Sequence, residues 1–401
     1  MELLQIIHFL LLIALSLSTR RRSVAMRAAV TLYIFYNIAP AVSFTIDYFS
    51  LQIDHHPKDD QLLKMLVADI MLLVGCGIAG GIQDAAQSAN NDSPIFAGSL
   101  AVIALIATGV DVLANRETLF ELKGASNSIQ RLPNLLVLHF PADLVLLGAL
   151  WRMPFSGRAM RSITYFGAAV AIALSVVQGY RHLVLLALLM WFFRRQHAVG
   201  PLVFALLLSG VGELSEGVKV LIRTAIATGN ADAAGYFSYL FENLDSRTWL
   251  SREQMAIASN WDIFERSREW ISVQNEFLTL IPGLGSILGI TPASSGAAQI
   301  GIFAGVGEGQ GTAFSHGVFL SLHPILACLV LLLLPSLASI SRSSVLLPLT
   351  LAFTFSFLRD TPTHWLGQLK LLLLLLVLKS ATSIKESPYS NSPKPLKFER
   401  N

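Results

Sequence analysis

The chain has 401 residues, of which 53% are hydrophobic and only 14% charged, and a formal net charge of +3. This balance excludes a soluble domain and points to a protein that crosses a membrane many times. Its two cysteines, Cys76 and Cys328, both fall in apolar runs, which excludes a disulfide framework or a zinc site, and the basic residues lie between apolar runs rather than in a nucleic-acid patch.

In chain order, apolar segments are predicted at about 3–18, 28–46, 62–82, 96–114, 133–150, 162–179, 182–193, 199–212, 315–338, 344–358 and 366–379. The expected fold is an all-α polytopic membrane protein of about eleven transmembrane helices. Residues 1–212 form a bundle of eight helices, 213–312 a long extracytoplasmic loop, 313–380 three further helices and 381–401 a disordered cytoplasmic tail. Several segments are shorter than the roughly 20 residues that span hydrocarbon, so their ends borrow from the flanking loops. The first segment is followed by Arg20, Arg21 and Arg22 with no small-residue cleavage pattern, and is read as a retained span.

Lys and Arg fix the orientation. With the loop carrying Arg20, Arg21, Arg22 and Arg27 inside, strict alternation leaves fifteen basic residues on the cytoplasmic side and six in the short outer loops. The N-terminus is then outside, the C-terminus inside and the long stretch outside. The loop at 83–95 is expected inside although it carries no positive charge.

Inside the long stretch, Arg247, Arg252, Arg266 and Arg268 interleave with Trp249, Trp261 and Trp270. Guanidinium forks suit oxyanions and indole faces suit sugar rings, although the same pattern decorates ordinary amphipathic helices. Ser251 and Gln254 resemble a capping box opening an amphipathic helix over about 251–278, and the Gly-rich run that follows is expected to be irregular. The stretch holds eleven acids against six bases, so specific sites rather than a general anion trap are implied.

Under this orientation Asp69, Asp111, His139, Asp143, Glu213, Glu216, His316 and His323 fall in or at the outer halves of their spans, and an outward-open polar cavity is expected. Pairing inside the bundle is the alternative for each of them. Arg181, in the tight turn after Gly179, and Arg359, before Asp360, stand outside against the charge bias, so anionic lipid or anionic substrate should compensate them. There is no nucleotide loop, no zinc motif and no nucleophile elbow. His55 and His56 are adjacent, which is poor ligand geometry without a third partner.

Gly179-Tyr180-Arg181 before a span, the long outer stretch with Trp270 and Glu276 ahead of Ile281-Pro282, the Gly-rich run, and Arg359-Asp360 before the last span together resemble the Wzy-type O-antigen polymerases, the bacterial oligosaccharide repeat unit polymerases. The likeness covers roughly residues 160 to 380, and His316 stands where that family carries an acid. It implies glycosyl transfer between undecaprenyl-diphosphate-linked repeat units on the outer face of the bacterial cytoplasmic (inner) membrane, building O-antigen or exopolysaccharide with a chain-length regulator and a flippase as partners. In that reading Arg181 and Arg359 hold the diphosphate, Arg266 and Arg268 hold diphosphate or growing glycan, and His316, Glu276 and Glu213 are candidate bases, with no metal or cofactor. An O-antigen ligase-like or other lipid-linked-sugar glycosyltransferase shares these features. A secondary transporter is the alternative from another class, marked by midplane ion sites, broken helices and internal symmetry.

Overall fold

The computed structural model describes residues 2–42, 59–85, 94–114, 142–149, 157–177, 182–195, 199–208, 287–288, 320, 323–340, 346–359 and 362–386. Nearly all of those residues are helical, the remainder being turns and short junctions, and no strand occurs among them. Eleven helices are described: α1 (Glu2–Thr19), α2 (Val24–Val42), α3 (Asp59–Ala85), α4 (Pro94–Ala114), α5 (Ala142–Ala149), α6 (Arg158–Val177), α7 (His182–Arg195), α8 (201–208), α9 (Pro324–Ile340), α10 (Leu346–Arg359) and α11 (Pro362–Glu386). Each falls on one of the eleven predicted segments. Among the described residues, only Leu62–Gly80 of α3 is long and apolar enough by itself to cross a membrane, and six further apolar helices are shorter.

Helix starts follow local chemistry. Pro occupies the first helical position of α4, α8, α9 and α11, where its missing N–H costs nothing. At α2 the Ser23 hydroxyl accepts from Met26 N–H at 3.3 Å, which opens the helix at Val24 and takes Arg27 out of the predicted loop into its first turns. Gly200, before α8, has no side chain to cap with. The Ser16 hydroxyl of α1 accepts from Leu202 N–H instead, at 3.0 Å, and a Cβ on Gly200 would sit 3.1 Å from that oxygen. α11 runs on to Glu386, into the segment predicted as a disordered tail, because nothing in Ala381–Glu386 breaks a helix before Pro388.

α10 is the axis of the bundle. Every side chain from Leu346 to Leu358 is buried, as an all-round apolar helix requires, and α10 packs against α2, α5, α7, α9 and α11. Phe353 and Phe357 each meet Trp365 edge to face where α10 meets α11, and Thr350 and Thr354 return their hydroxyls to carbonyls one turn back. α1, α2, α3 and α9 pack on one side, α4, α5 and α6 on another. α3 and α9 approach closely at Gly75, where a Cβ would lie 2.4 Å from the Leu332 carbonyl oxygen, beside Pro335.

Paired contacts fix helix directions. His8 meets Asp69 and the Arg22 guanidinium lies against Gly80, so α1 and α3 run the same way. α2 runs opposite to α1, with Asn37 at His8 and Arg27 at the far end. There the Arg27 guanidinium donates to the Val199 carbonyl at 2.8 Å and sits 4.4 Å above the Phe193 ring, so α7 ends and α8 begins where α1 ends.

The outward faces are aliphatic. On α3, Leu63, Val67, Ile70, Val74 and Ile78 form one exposed stripe at helical spacing, and Ile325, Leu329 and Leu333 do the same on α9.

Candidate functional site

The polar centre of the described structure lies where α1, α2 and α3 meet. Asp69, on the face of α3 turned from its aliphatic stripe, is fully buried. Its Oδ2 meets His8 Nδ1 from α1, and its Oδ1 accepts from the Tyr33 hydroxyl of α2 at 2.7 Å. His8 Nε2 lies 3.0 Å from the Asn37 carbonyl oxygen, and Asn37 Nδ2 donates to the Tyr33 carbonyl at 2.8 Å. All four side chains are inaccessible to solvent.

The spacing explains the convergence. Tyr33 and Asn37 are one turn apart, so they share a face of α2, and that face is turned to α1 and α3. A carboxylate has two oxygens to satisfy, and each neighbouring helix supplies one donor. Because His, Asp and Tyr come from three helices, the network ties them at a common level.

Of the polar residues expected to line an outward-open cavity, Asp69 is instead closed between helices. Its alternative, pairing inside the bundle, is what His8 and Tyr33 provide. His323 precedes α9 and is half-buried. Asp111 lies on α4 and Asp143 on α5, and only their helix positions are described. His139, Glu213, Glu216, Glu276, His316, Arg181, Arg266 and Arg268 lie outside the described residues, as do the amphipathic helix predicted at 251–278 and His55-His56. Arg359 is the last residue of α10, described as a helix position only.

Sequence reasoning singled out Asp69 but missed His8 and Tyr33. A histidine inside the first apolar run was the available signal for His8, whereas Tyr33 carries none, since a tyrosine in an apolar helix is ordinary. Both cysteines are free, Cys76 buried and Cys328 half-buried. Among the described residues no group of three His, Cys, Asp or Glu side chains could hold a metal ion.

No family model, characterised protein or solved structure matches the chain.

Proposed function

We propose that the chain is a polytopic inner-membrane glycosyltransferase that polymerises undecaprenyl-diphosphate-linked oligosaccharide repeat units on the outer face of the membrane. The membrane part of this reading is supported by a surface turned inside out: branched aliphatic stripes face outward on α3 and α9 while an Asp, a His and a Tyr are sealed within. In water that exposure is costly, and in hydrocarbon it is the favoured arrangement.

Helix direction supports the alternation on which the placing of Arg181 and Arg359 rests. α1 and α3 run the same way, α2 and α8 the other, and α7 ends where α1 ends, as strict alternation of eleven spans requires. Five residues separate α10 from α9 in the sequence, and Phe355 packs on Tyr36 with ring centroids 6.0 Å apart, toward the end of α2 away from Arg27. By this alternation α10 closes on Arg359, and α7 opens after Arg181, at the end where α1 begins. With Arg20, Arg21 and Arg22 at the other end, inside, both arginines border the outer surface.

A lipid-diphosphate donor requires fixed cations for its leaving group but no nucleotide, which suits Arg181 and Arg359, with Arg266 and Arg268 for the glycan. The acceptor hydroxyl needs a base, for which His316, Glu276 and Glu213 are the candidates. Purified protein in liposomes, given a defined lipid-linked repeat unit, should produce a ladder of longer glycans. Unextended donor under conditions where the protein is folded would contradict the polymerase reading.

A second reading, secondary transport coupled to protons, is favoured by one specific observation: the His8–Asp69 pair lies within the spans rather than at their outer ends. A ligase reading predicts unattached long chains in a deletion strain, whereas a lost polymerase leaves single capped repeats.

A further inference from the structure

Both ring nitrogens of His8 face oxygen: Nδ1 meets Asp69 Oδ2, and Nε2 lies 3.0 Å from the Asn37 carbonyl. A backbone carbonyl only accepts, so Nε2 carries a hydrogen. The Tyr33 hydroxyl donates to Oδ1 and leaves the other contact to itself. If neither Nδ1 nor Oδ2 held a proton, two lone pairs would be pressed together. One proton therefore occupies that contact, on nitrogen as imidazolium with carboxylate, or on oxygen as imidazole with carboxylic acid. Either way the cluster is neutral.

We propose that His8, Asp69 and Tyr33 form a proton-binding site at the junction of α1, α2 and α3, and that release of its proton is coupled to separation of α1 from α3. None of the three side chains touches solvent, so the proton has no acceptor while the helices are closed. When α1 moves aside, the proton leaves whichever atom holds it, Nδ1 or Oδ2, and passes to entering water. The imidazole keeps its Nε2 hydrogen, the carboxylate keeps the Tyr33 hydrogen bond, and the cluster changes from net zero to minus one. A lone negative charge is strongly disfavoured in an apolar interior, so the deprotonated site favours the hydrated, opened arrangement. Asn37 Oδ1, buried without a hydrogen-bond partner, is a ready acceptor for the first water to arrive.

Few other titratable groups face this site among the described residues. Tyr33 comes from α2, Asp69 from α3, and from α9 the Cys328 thiol lies within electrostatic reach of Tyr33. Residues 346–358 of α10, which packs on α2, hold no titratable side chain. Arg27 sits at the far end of α2 against Phe193 and Val199, and Lys64 pairs with Asp60 at 3.6 Å near the start of α3. The site is thus a self-contained acceptor for one proton, whichever substrate the protein handles.

The test uses full-length protein with ¹⁵N-labelled histidine in lipid nanodiscs, titrated between about pH 5 and pH 9, the range in which an imidazole site exchanges its proton. The His8 signal is assigned by its loss in His8→Gln. At the acid end of the range both ring nitrogens should be protonated or share a proton, and a ring with a bare Nε2 would overturn the proposal. In parallel, hydrogen exchange along Gln5–Leu12, corrected for its intrinsic pH dependence, should accelerate by up to about tenfold per pH unit in the wild type and not in Asp69→Asn. A flat wild-type profile, or identical profiles for the two proteins, would also overturn it. If Asp69→Asn does not fold, Tyr33→Phe replaces it: losing one donor to the carboxylate should move the onset of exchange by about a pH unit, and an unmoved onset counts against the coupling.

Discussion

Tyr33 on α2 donates its hydroxyl to Asp69 on α3 at 2.7 Å, while the second oxygen of the same carboxylate is held by His8 of α1. One side chain thereby sets the mutual register of three helices. Removing a single partner strands the other two. Asp69→Ala and His8→Ala should each destabilise the protein by about 3–5 kcal/mol, the usual penalty for breaking a buried ion pair from one side. The double substitution His8→Leu with Asp69→Leu should cost less than the two singles together, because no uncompensated charge remains. Thermal unfolding in detergent, read as a double-mutant cycle, checks this.

Tyr33→Phe keeps the ring and loses only the donor. It should cost about 1–3 kcal/mol, the penalty for leaving one buried acceptor underused, and rank below both Ala substitutions in the same assay.

The contact of α3 with α9 gives a sharper contrast between two glycines. At Gly75 a Cβ would meet the Leu332 carbonyl at 2.4 Å, and backbone oxygen cannot swing aside as a side chain can. Gly75→Ala should therefore destabilise by about 1–3 kcal/mol, as overpacking does. Nothing lies within 4 Å of the corresponding position at Gly77. Gly77→Ala should be neutral or stabilise by up to about 1 kcal/mol through helix propensity. Unfolding midpoints of the two variants decide the point, and equal shifts would contradict the close approach.

Arg27 both donates to the Val199 carbonyl and covers the Phe193 face. Lysine offers a point charge in place of a planar fork, so Arg27→Lys should lose about 1–2 kcal/mol and Arg27→Ala more. Proteolysis near 196–200 should become faster in both, because this junction orders the start of α8.

Much of the fold was legible in composition and period. Eleven apolar runs correspond to eleven described helices, because long aliphatic runs favour helix strongly enough to continue through internal breakers such as Gly75, Gly77 and Pro335. The ends were less legible. The Ser23 cap brought Arg27 into α2, and the absence of a breaker before Pro388 carried α11 to Glu386. Least legible was the partnership of Asp69. His8 lies 61 residues away and Tyr33 36, and no local pattern encodes which faces of three helices will meet. Helix period says that Asp69 is on the face opposite Ile70, Val74 and Ile78. It does not say who waits there.

Arg181→Ala and Arg359→Ala should each abolish polymer while leaving protein in the membrane, if these side chains hold the diphosphate. Arg359→Lys should be impaired as well, because the fork is lost although the charge remains. Glycan length distributions on gels, beside membrane immunoblots, measure both halves of this expectation. Wild-type polymer from either Ala variant would remove that arginine from the site.

The proposed glycosyl transfer depends on which end of the bundle faces outward. Cys76 and Cys328 are the protein's two cysteines, so a Cys76→Ser, Cys328→Ser background accepts single reporters. With Gly179→Cys, Ser267→Cys, Thr361→Cys and Arg21→Cys placed one at a time, intact cells are treated with a membrane-impermeant maleimide. The account predicts labelling at 179, 267 and 361 and protection at 21 until the cells are opened. Labelling at 21 with protection at the other three would contradict it.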